Sequence, residues 1–275
     1  MELTMFRKLI RETFIADYLR YGRELSYLVR TPVITKRGFR FIGIQRMMQD
    51  DFEPDICALI ENEASRGANL FIDVGAHHGY FSVLASFLGM KVQAFEPDPV
   101  NFKVLTRNLR LNGFSHVEIF NFGVADFENI MTFYGFSTGV STKNHWGGNV
   151  SKRKFTAKVV KLDEFIDFTS SLDSRIILKV DVEGFEDRVL KGAQKLLSES
   201  KNCLLIVEVS FREDQGTSGG IKDEASKLFG FLCSHGYLPH SISQSGKLEL
   251  LEEIEVEHLL EFGKTISGNY AFKRA

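Results

Sequence analysis

The chain has 275 residues, 44% of them apolar, which is enough to bury one substantial core but short for two independent enzyme domains. Its 34 lysine and arginine residues nearly balance 36 aspartate and glutamate residues, so no overall field exists to gather nucleic acid or an anionic membrane. The three cysteines, Cys57, Cys203 and Cys233, show neither metal-ligand nor disulfide-framework spacing, and a reducing, cytoplasmic location fits this usage best.

Residues 1–66 are predicted to form a cap of helices and a β-hairpin ahead of a main domain that spans residues 67–275. Large apolar residues recur every three or four positions from Phe6 to Leu28, the spacing of one helical face. That face would pack on the domain or on a second subunit, so a homodimer through these helices is a candidate assembly. Charged residues interrupt the segment, and no membrane span is expected. Thr31 to Ile44 predicts the hairpin, and Asp55 to Arg66 predicts a helix.

From Leu70 the chain alternates short apolar runs with segments of helix length, which is typical of an α/β domain with a mostly parallel sheet. Ligands of such sheets bind beyond the carboxyl ends of the strands. Two later segments, Tyr237 to Ser243 and Tyr270 to Lys273, are predicted as antiparallel edge strands. The predicted parallel strands are Leu70 to Val74, Val92 to Phe95, Val117 to Asn121, Ile176 to Val180 and Leu204 to Val209.

An insertion hairpin is predicted over residues 131–160. Its strands would be Met131 to Phe136 and Phe155 to Val160, and a glycine-rich stretch, Thr138 to Asn149, separates them. Within that stretch, His145 and Trp146 precede two glycines. The tryptophan could cover an acceptor ring as part of a lid, or it could only anchor the hairpin on the core.

The sharpest local signal is the run from Phe71 to Phe81, a buried strand followed by a glycine-containing turn and an apolar helix. Its spacing is Asp-x-Gly-x-x-x-Gly, whereas the dinucleotide fingerprint needs Gly-x-Gly-x-x-Gly. The acid Asp73 would repel a pyrophosphate but suits the sulfonium and ammonium of S-adenosylmethionine. The alternative is that Asp73 only caps the turn and the glycines only pack helix on strand. The cofactor contacts predicted from this run are Asp73, Gly75, Ala76, His77, Gly79, Tyr80 and Phe81.

Two further signals follow the second and third strands. Glu96 stands at the end of the second strand, where a carboxylate can accept both ribose hydroxyls of an adenosine ligand, and Pro97 and Asn101 lead into the next helix. Val124 and Asp126 follow the third strand, where an acid could bind the adenine amino group. Asp126 could equally be an ordinary loop acid.

Taken together, these motifs resemble the FkbM-type family of S-adenosylmethionine-dependent methyltransferases. The resemblance covers about Phe52 to Phe211, and its most specific part is the string Lys179-Val180-Asp181-Val182-Glu183-Gly184. It implies a Rossmann-like class I fold with a seven-stranded, mostly parallel sheet. It also implies methyl transfer to a hydroxyl on a sugar, polyketide or related metabolite, with a small-molecule or glycan acceptor as partner. The family commonly has Asn where this chain has His77, so cofactor contacts from that position are an open question.

The chemistry is expected at the end of the fourth strand, because an alcohol acceptor is a poor nucleophile that needs its proton managed. Asp181 is the first candidate base, and Lys179, on the same strand face, could keep it ionised. Glu183 and Glu208 would complete a polar cluster. The same side chains could instead form a structural ion-pair network, or the three acids could bind magnesium. His77 and His78 are alternative bases.

Two other functions compete with methyl transfer. A nicotinamide-dependent oxidoreductase would use a related sheet, but no tyrosine here has a lysine four positions later, as the Tyr-x-x-x-Lys pair of many such enzymes requires. The second alternative is a non-catalytic protein that keeps the fold and binds the cofactor.

Overall fold

The computed structural model describes residues 14–49, 52–135, 140, 153–168, 174–212, 221–252, 256 and 265–274. Within these ranges the chain forms a central eight-stranded sheet, a separate three-stranded sheet and a short hairpin. The strands are β1 (Val33–Ile34), β2 (Arg40–Phe41), β3 (Leu70–Val74), β4 (Lys91–Phe95), β5 (Glu118–Phe120), β6 (Gly123–Val124), β7 (Asn129–Tyr134), β8 (Lys154–Val160), β9 (Ile176–Val180), β10 (Cys203–Arg212), β11 (Tyr237–Ile242), β12 (Leu248–Leu250) and β13 (Thr265–Arg274).

Seven α-helices lie in the described part of the chain. None of them is long and apolar enough to cross a membrane. The helices are α1 (Phe14–Ser26), α2 (Pro54–Ser65), α3 (Tyr80–Phe87), α4 (Pro99–Leu111), α5 (Glu186–Lys191), α6 (Gln194–Glu199) and α7 (Ile221–Ser234), with 3₁₀ turns at Gln45–Met48 and Leu162–Glu164.

The central sheet has the strand order β12-β11-β13-β10-β9-β3-β4-β5. Strands β10, β9, β3, β4 and β5 are parallel, and β13, β11 and β12 are antiparallel at one side. The predicted α/β class with a mostly parallel sheet is therefore confirmed. The strand count needs one correction: an eighth strand, β12, pairs with β11 and supplies hydrogen-bond partners to an edge that would otherwise be open.

The sheet is buried on both faces because its side chains alternate between two core clusters. Ile72, Leu178 and Val207 belong to one cluster, and Phe71, Ile177 and Ile206 belong to the other. The second face is the one that α3 and the amino-terminal segments cover. Since Asp73 and Lys179 follow the same alternation and pair in register, both polar side chains point to this second face.

The amino-terminal hairpin and α2 pack directly against that second face. Phe39 and Phe41 are buried, and their rings lie 5.3 and 5.1 Å from the ring of Tyr80 at the start of α3. Helix α1 ends against α4, where Arg107 donates to the backbone oxygens of Tyr27 and Arg30. The division between residues 1–66 and 67–275 stays a prediction.

The segment predicted as an insertion hairpin contains the antiparallel pair β7 and β8, and β6 adds to β8 in parallel. Phe133 and Val159 are the centre of a small apolar cluster beneath this sheet. Residues 136–139 and 141–152 lie outside the described ranges, so the predicted His145 and Trp146 lid lies outside the described residues as well.

The turn between β11 and β12 packs tightly against α2. Gly246 has φ +70°, and a Cβ there would lie 2.3 Å from the backbone nitrogen of Leu59. Asn62 donates to the backbone oxygens of Ser245 and Gly246 at 2.9 and 3.3 Å. We expect Gly246→Ala to destabilise the protein by about 1–2 kcal/mol for the left-handed conformation and about 1–3 kcal/mol more for the overlap.

Gly236→Ala is the matched control, because Gly236 has φ +80° but nothing within 4 Å of an added Cβ. Gly236→Ala should be destabilised only by the cost of the left-handed conformation, without the cost of an overlap. Urea unfolding of both variants measures the difference, and equal losses would show that the turn does not press on α2.

Candidate functional site

A cavity of about 460 Å³ opens at the carboxyl ends of β3, β4, β9 and β10. This volume lies in the usual range for small-molecule sites. Most of the residues predicted from the sequence line it: Asp73, Gly75, Ala76, His77, Tyr80, Phe81, Glu96, Pro97, Asn101, Val124, Lys179, Asp181, Glu183 and Glu208.

The first loop has space only for glycine at position 75. Gly75 has φ +86°, and a Cβ there would lie 1.8 Å from the backbone oxygen of Asp181. The N–H groups of Gly75 and Ala76 both donate to the backbone oxygen of Phe95 at 3.0 Å. These contacts hold the loop between β4 and β9 and bring its backbone to the cavity.

Gly79 and Asp126 do not line the cavity. Gly79 has φ +80° and precedes α3, and an added Cβ would lie 2.2 Å from Leu105, so this glycine serves helix packing behind the loop. Asp126 pairs with Arg188 at 3.0 Å. The surroundings of Gly79 fit the alternative that a glycine of this loop only packs helix on strand. Those of Asp126 fit the alternative that it is an ordinary loop acid.

Glu96 is held by two backbone donors. Its Oε2 accepts from the N–H of His77 at 2.7 Å, and its Oε1 accepts from the N–H of Asp98 at 2.9 Å. Burial, with a smaller contribution from Asp98, raises the pKa of Glu96 to about 8. The carboxyl group is therefore fixed in orientation at the end of β4.

The two loop histidines form a stacked pair with ring centroids 3.9 Å apart. His77 adopts a left-handed conformation with φ 52° and lines the cavity, whereas His78 is fully buried. Burial lowers the pKa of His77 to about 4 and lowers that of His78 well below its ordinary value. Both rings are neutral at pH 7, and His77 is at most a weak base.

Asp73 presents a partly satisfied carboxylate to the cavity. Its side chain is buried, and Ser82 Oγ donates to Oδ2 at 2.5 Å. The other oxygen, Oδ1, has no hydrogen-bond donor among the residues that the structure describes. Burial raises the pKa of Asp73 above its ordinary value. A buried acid with one such oxygen suits a ligand that brings positive charge or a donor.

Lys179 is the cation at the centre of the site. Its side chain is 2% exposed, its Nζ lies 2.8 Å from Asp181 Oδ2, and the same nitrogen lies 4.9 Å from the Phe81 ring centroid. Burial opposes its charge, but the carboxylates of Asp181, Asp73 and Glu53 outweigh burial and raise its pKa. Lys179 therefore stays protonated.

The pKa values of Asp181 and Glu208 shift in opposite directions. Burial alone would raise the pKa of Asp181, but Lys179 and a hydrogen bond from Glu208 lower it to about 2. The same hydrogen bond, with burial second, raises the pKa of Glu208. Glu208 thus carries the proton, and Asp181 stays an anion whose side chain is 29% exposed at the cavity.

The remaining cavity wall includes residues that sequence reasoning missed. Glu53, with φ 39°, precedes α2 and has a pKa raised by burial. Nothing in its sequence context distinguishes it from other acids, because its position depends on how the 3₁₀ turn packs. The other missed residues include Ile44, Arg46, Met47, Phe52, Phe122, Phe133, Val159 and Phe185.

Magnesium was one alternative for Asp181, Glu183 and Glu208. Within the described ranges, no group of three His, Cys, Asp or Glu side chains is arranged to hold a metal ion.

Comparison with known proteins identifies one matching family. The model of the Methyltransferase FkbM domain matches residues 73–239, a stretch that runs from Asp73 past Glu208. A curated relative, Methyltransferase 1 of Beauveria bassiana (strain ARSEF 2860), is 28% identical over 144 residues. This match covers 45% of the chain and 58% of the relative, so the chain spans little more than half of that protein's length.

Two solved structures with a similar course of the chain are named as methyltransferases. A putative O-methyltransferase from Klebsiella pneumoniae has a TM-score of 0.47 and 10% identity, with 93% of this chain and 90% of that chain covered. Precorrin-6y C5,15-methyltransferase from Geobacter metallireducens GS-15 has a TM-score of 0.43 and 11% identity, with 85% and 92% covered.

The raised pKa of Asp73 yields a stability prediction. The folded protein binds this proton more tightly than the unfolded chain, so the contribution of Asp73 to stability falls as pH rises above about 4. Asp73→Asn cannot ionise and should be more stable than the wild type at pH 8, by about 1–3 kcal/mol. The advantage should shrink at pH 5.

Urea unfolding at both pH values measures this effect. Asp126→Asn serves as the control, because its partly exposed ion pair contributes about 0–1 kcal/mol. A loss of stability in Asp73→Asn at pH 8 would contradict the prediction.

Proposed function

We propose that this chain, which belongs to the FkbM methyltransferase family, uses S-adenosylmethionine to methylate a hydroxyl oxygen of a small-molecule or glycan acceptor, such as a sugar or polyketide. The observation that carries this proposal is Asp181, an ionised carboxylate exposed at the cavity beside a buried lysine. Membership of a methyltransferase family favours this proposal over the two alternatives that the sequence left open, a nicotinamide-dependent oxidoreductase and a non-catalytic cofactor-binding protein.

The residues of the first loop fit the cofactor. S-adenosylmethionine supplies an electrophilic methyl group on a sulfonium when it is bound. Asp73 would face its positive charge, the backbone at Gly75 and Ala76 would lie against it, and Glu96 would accept from the ribose hydroxyls. The oxygen of Asp73 that has no donor in the described structure supports this fit. Asn101 and Val124 would complete the cofactor side.

Asp181 would accept a hydrogen bond from the acceptor hydroxyl and then take its proton. A hydroxyl oxygen that gains a methyl group becomes an oxonium, which is a far stronger acid than a carboxylic acid. A carboxylate with a pKa of about 2 can therefore remove the proton as the new bond forms. Lys179 keeps Asp181 ionised, and Glu208, which keeps its proton, orients Asp181 by donating a hydrogen bond to it.

The acceptor side of the cavity is mainly apolar. Met47 and Phe52 from the amino-terminal segment and Phe133 and Val159 from the β7–β8 pair supply this wall. A volume of about 460 Å³ that must also hold the cofactor favours a compact acceptor or the end of a glycan. The apolar wall would contact the carbon face of a sugar or polyketide ring.

Assembly and location remain proposals. Helix α1 and the turn after it expose Leu19, Leu25 and Val29, which are 60%, 40% and 82% exposed. This surface supports the predicted homodimer through the amino-terminal helices. A cytoplasmic location remains the expectation from cysteine usage.

Asp181→Asn tests the proposed base. Removal of a general base should lower kcat by about 10²- to 10⁴-fold, measured as S-adenosylhomocysteine release with an acceptor found in a panel of sugars and polyketides. Glu208→Gln keeps a donor to Asp181 and should stay within about tenfold of the wild type, since one hydrogen bond is only rearranged.

Asp187→Asn is the control, because Asp187 pairs with Lys191 on the surface and should retain full activity. Wild-type turnover by Asp181→Asn with every acceptor would rule out the proposed base. If S-adenosylhomocysteine is released only with acceptors that carry no hydroxyl group, oxygen is ruled out as the methylated atom.

The raised pKa of Glu208 predicts a pH dependence. As pH rises through that pKa, Glu208 loses its proton and stands as a second anion beside Asp181, so kcat should fall at alkaline pH. Glu208→Gln cannot ionise and should show no such fall. Profiles of kcat from pH 6 to 10.5 compare the two proteins, and identical alkaline limbs would contradict the role given to Glu208.

A further inference from the structure

Arg153 links the end of β7 to the start of β8. It lies immediately before β8, and its side chain is 10% exposed. Its guanidinium donates to the backbone oxygen of Gly135, at the end of β7, at 3.0 Å, and Gly135 N–H donates back to the backbone oxygen of Arg153 at 3.2 Å. The position of Arg153 and the position of the β7–β8 pair are therefore linked.

The same guanidinium reaches the element that follows Glu96. Arg153 Nη2 donates to Asp98 Oδ1 at 2.8 Å, and Nη1 donates to Asp98 Oδ2. Asp98 is fully buried, and its Oδ1 also accepts from the N–H of Val100 at the start of α4. A two-pronged arginine–carboxylate contact fixes orientation as well as distance.

A third element meets Arg153 from the amino-terminal side. Its Nε lies 4.0 Å from Glu24 Oε2 on α1, and Glu24 is 3% exposed. The Arg153 Cζ lies 4.9 Å from the Phe155 ring centroid and 5.8 Å from that of Tyr21. One guanidinium thus connects α1, the start of α4 and the β7–β8 pair, and it lies within ion-pair distance of two buried acids.

Asp98 continues this contact to the first loop. Its N–H donates to Glu96 Oε1 at 2.9 Å, and Glu96 Oε2 accepts from the N–H of His77 at 2.7 Å. Hydrogen bonds therefore run without a break from Arg153 through Asp98 and Glu96 to His77. At the other end of this path, β7 and β8 carry Phe133 and Val159 into the cavity wall.

We propose that Arg153 is a positioning residue that couples cofactor binding at Glu96 to the placement of the β7–β8 pair over the acceptor side of the cavity. The proposal rests on the cofactor site proposed above. A ligand that orders Glu96 and Asp98 orders the guanidinium between them, and the guanidinium in turn orders the strands that hold it. Lysine at this position would be a single point charge and could not bridge both Asp98 oxygens and Gly135.

Hydrogen exchange of the full chain, with and without S-adenosylhomocysteine, tests this coupling. In the wild type the ligand should slow exchange both in the first loop, residues 73–80, and in β7 and β8. In Arg153→Gln it should still slow exchange in the first loop but no longer in β7 and β8. Calorimetry should show affinity for S-adenosylhomocysteine weakened by about fivefold or more, the usual range of coupling between two sites.

Arg175→Gln is the matched control. Arg175 pairs with the buried Glu63 at 2.8 Å, but it lies before β9, at the end of that strand away from the cavity. The ligand should therefore protect β7 and β8 in this variant as in the wild type. If Arg153→Gln does not fold, Arg153→Lys decides the question in the same assay. Loss of ligand-dependent protection of β7 and β8 in that variant supports the proposal.

Retained protection of β7 and β8 in the Arg153 variants overturns the proposal, since the coupling would then not pass through this side chain. Failure of the cofactor site itself is a different result. In that case the wild type shows neither affinity for S-adenosylhomocysteine nor slowed exchange in residues 73–80.

Discussion

The site depends on one buried ammonium group. Lys179 lies on the central strand β9, 2% exposed, with Asp73 opposite it in the sheet and Asp181 two residues further on. A buried charge without partners would cost several kcal/mol, so Asp181 beside Lys179 stabilises the fold while Lys179 keeps Asp181 ionised. The structural role of this cluster and its proposed catalytic role are therefore compatible, because one ion pair would serve both.

The ammonium group of Lys179 helps to give the acids of the cavity different pKa values. Asp181, in direct contact with Lys179, has a pKa near 2, whereas the hydrogen bond to Asp181 and burial raise the pKa of Glu208. Glu96 lies farther away and has a pKa of about 8. Burial and neighbouring charges separate the pKa values of similar groups in this way at many active sites. One acid stays available to accept a proton, and another keeps its own.

Sequence reasoning reached most of the cofactor side because the sheet itself orders those residues. Apolar runs predict parallel strands, and the residues after such strands meet at one edge, which places Asp73, Glu96 and Asp181 together. It named Asp126 as an adenine contact or an ordinary loop acid without deciding between them, because the direction of a loop acid depends on a nearby partner, here Arg188. It also missed Arg153, whose contacts with Asp98 and Glu24 join segments far apart in the chain and leave no local pattern.

The two sides of the cavity differ in how they are built. The cofactor side comes from strand ends and from the loop after β3, which rest on the buried sheet. The proposed acceptor side comes from residues 44–47 and 52–53 and from the β7–β8 pair, which the central sheet does not order directly. Residues 44–47 and 52–53 also precede the stretch 73–239 that matches the family. Family membership therefore supports the proposed methyl donor, whereas the segments proposed to contact the acceptor lie partly outside the family's shared region.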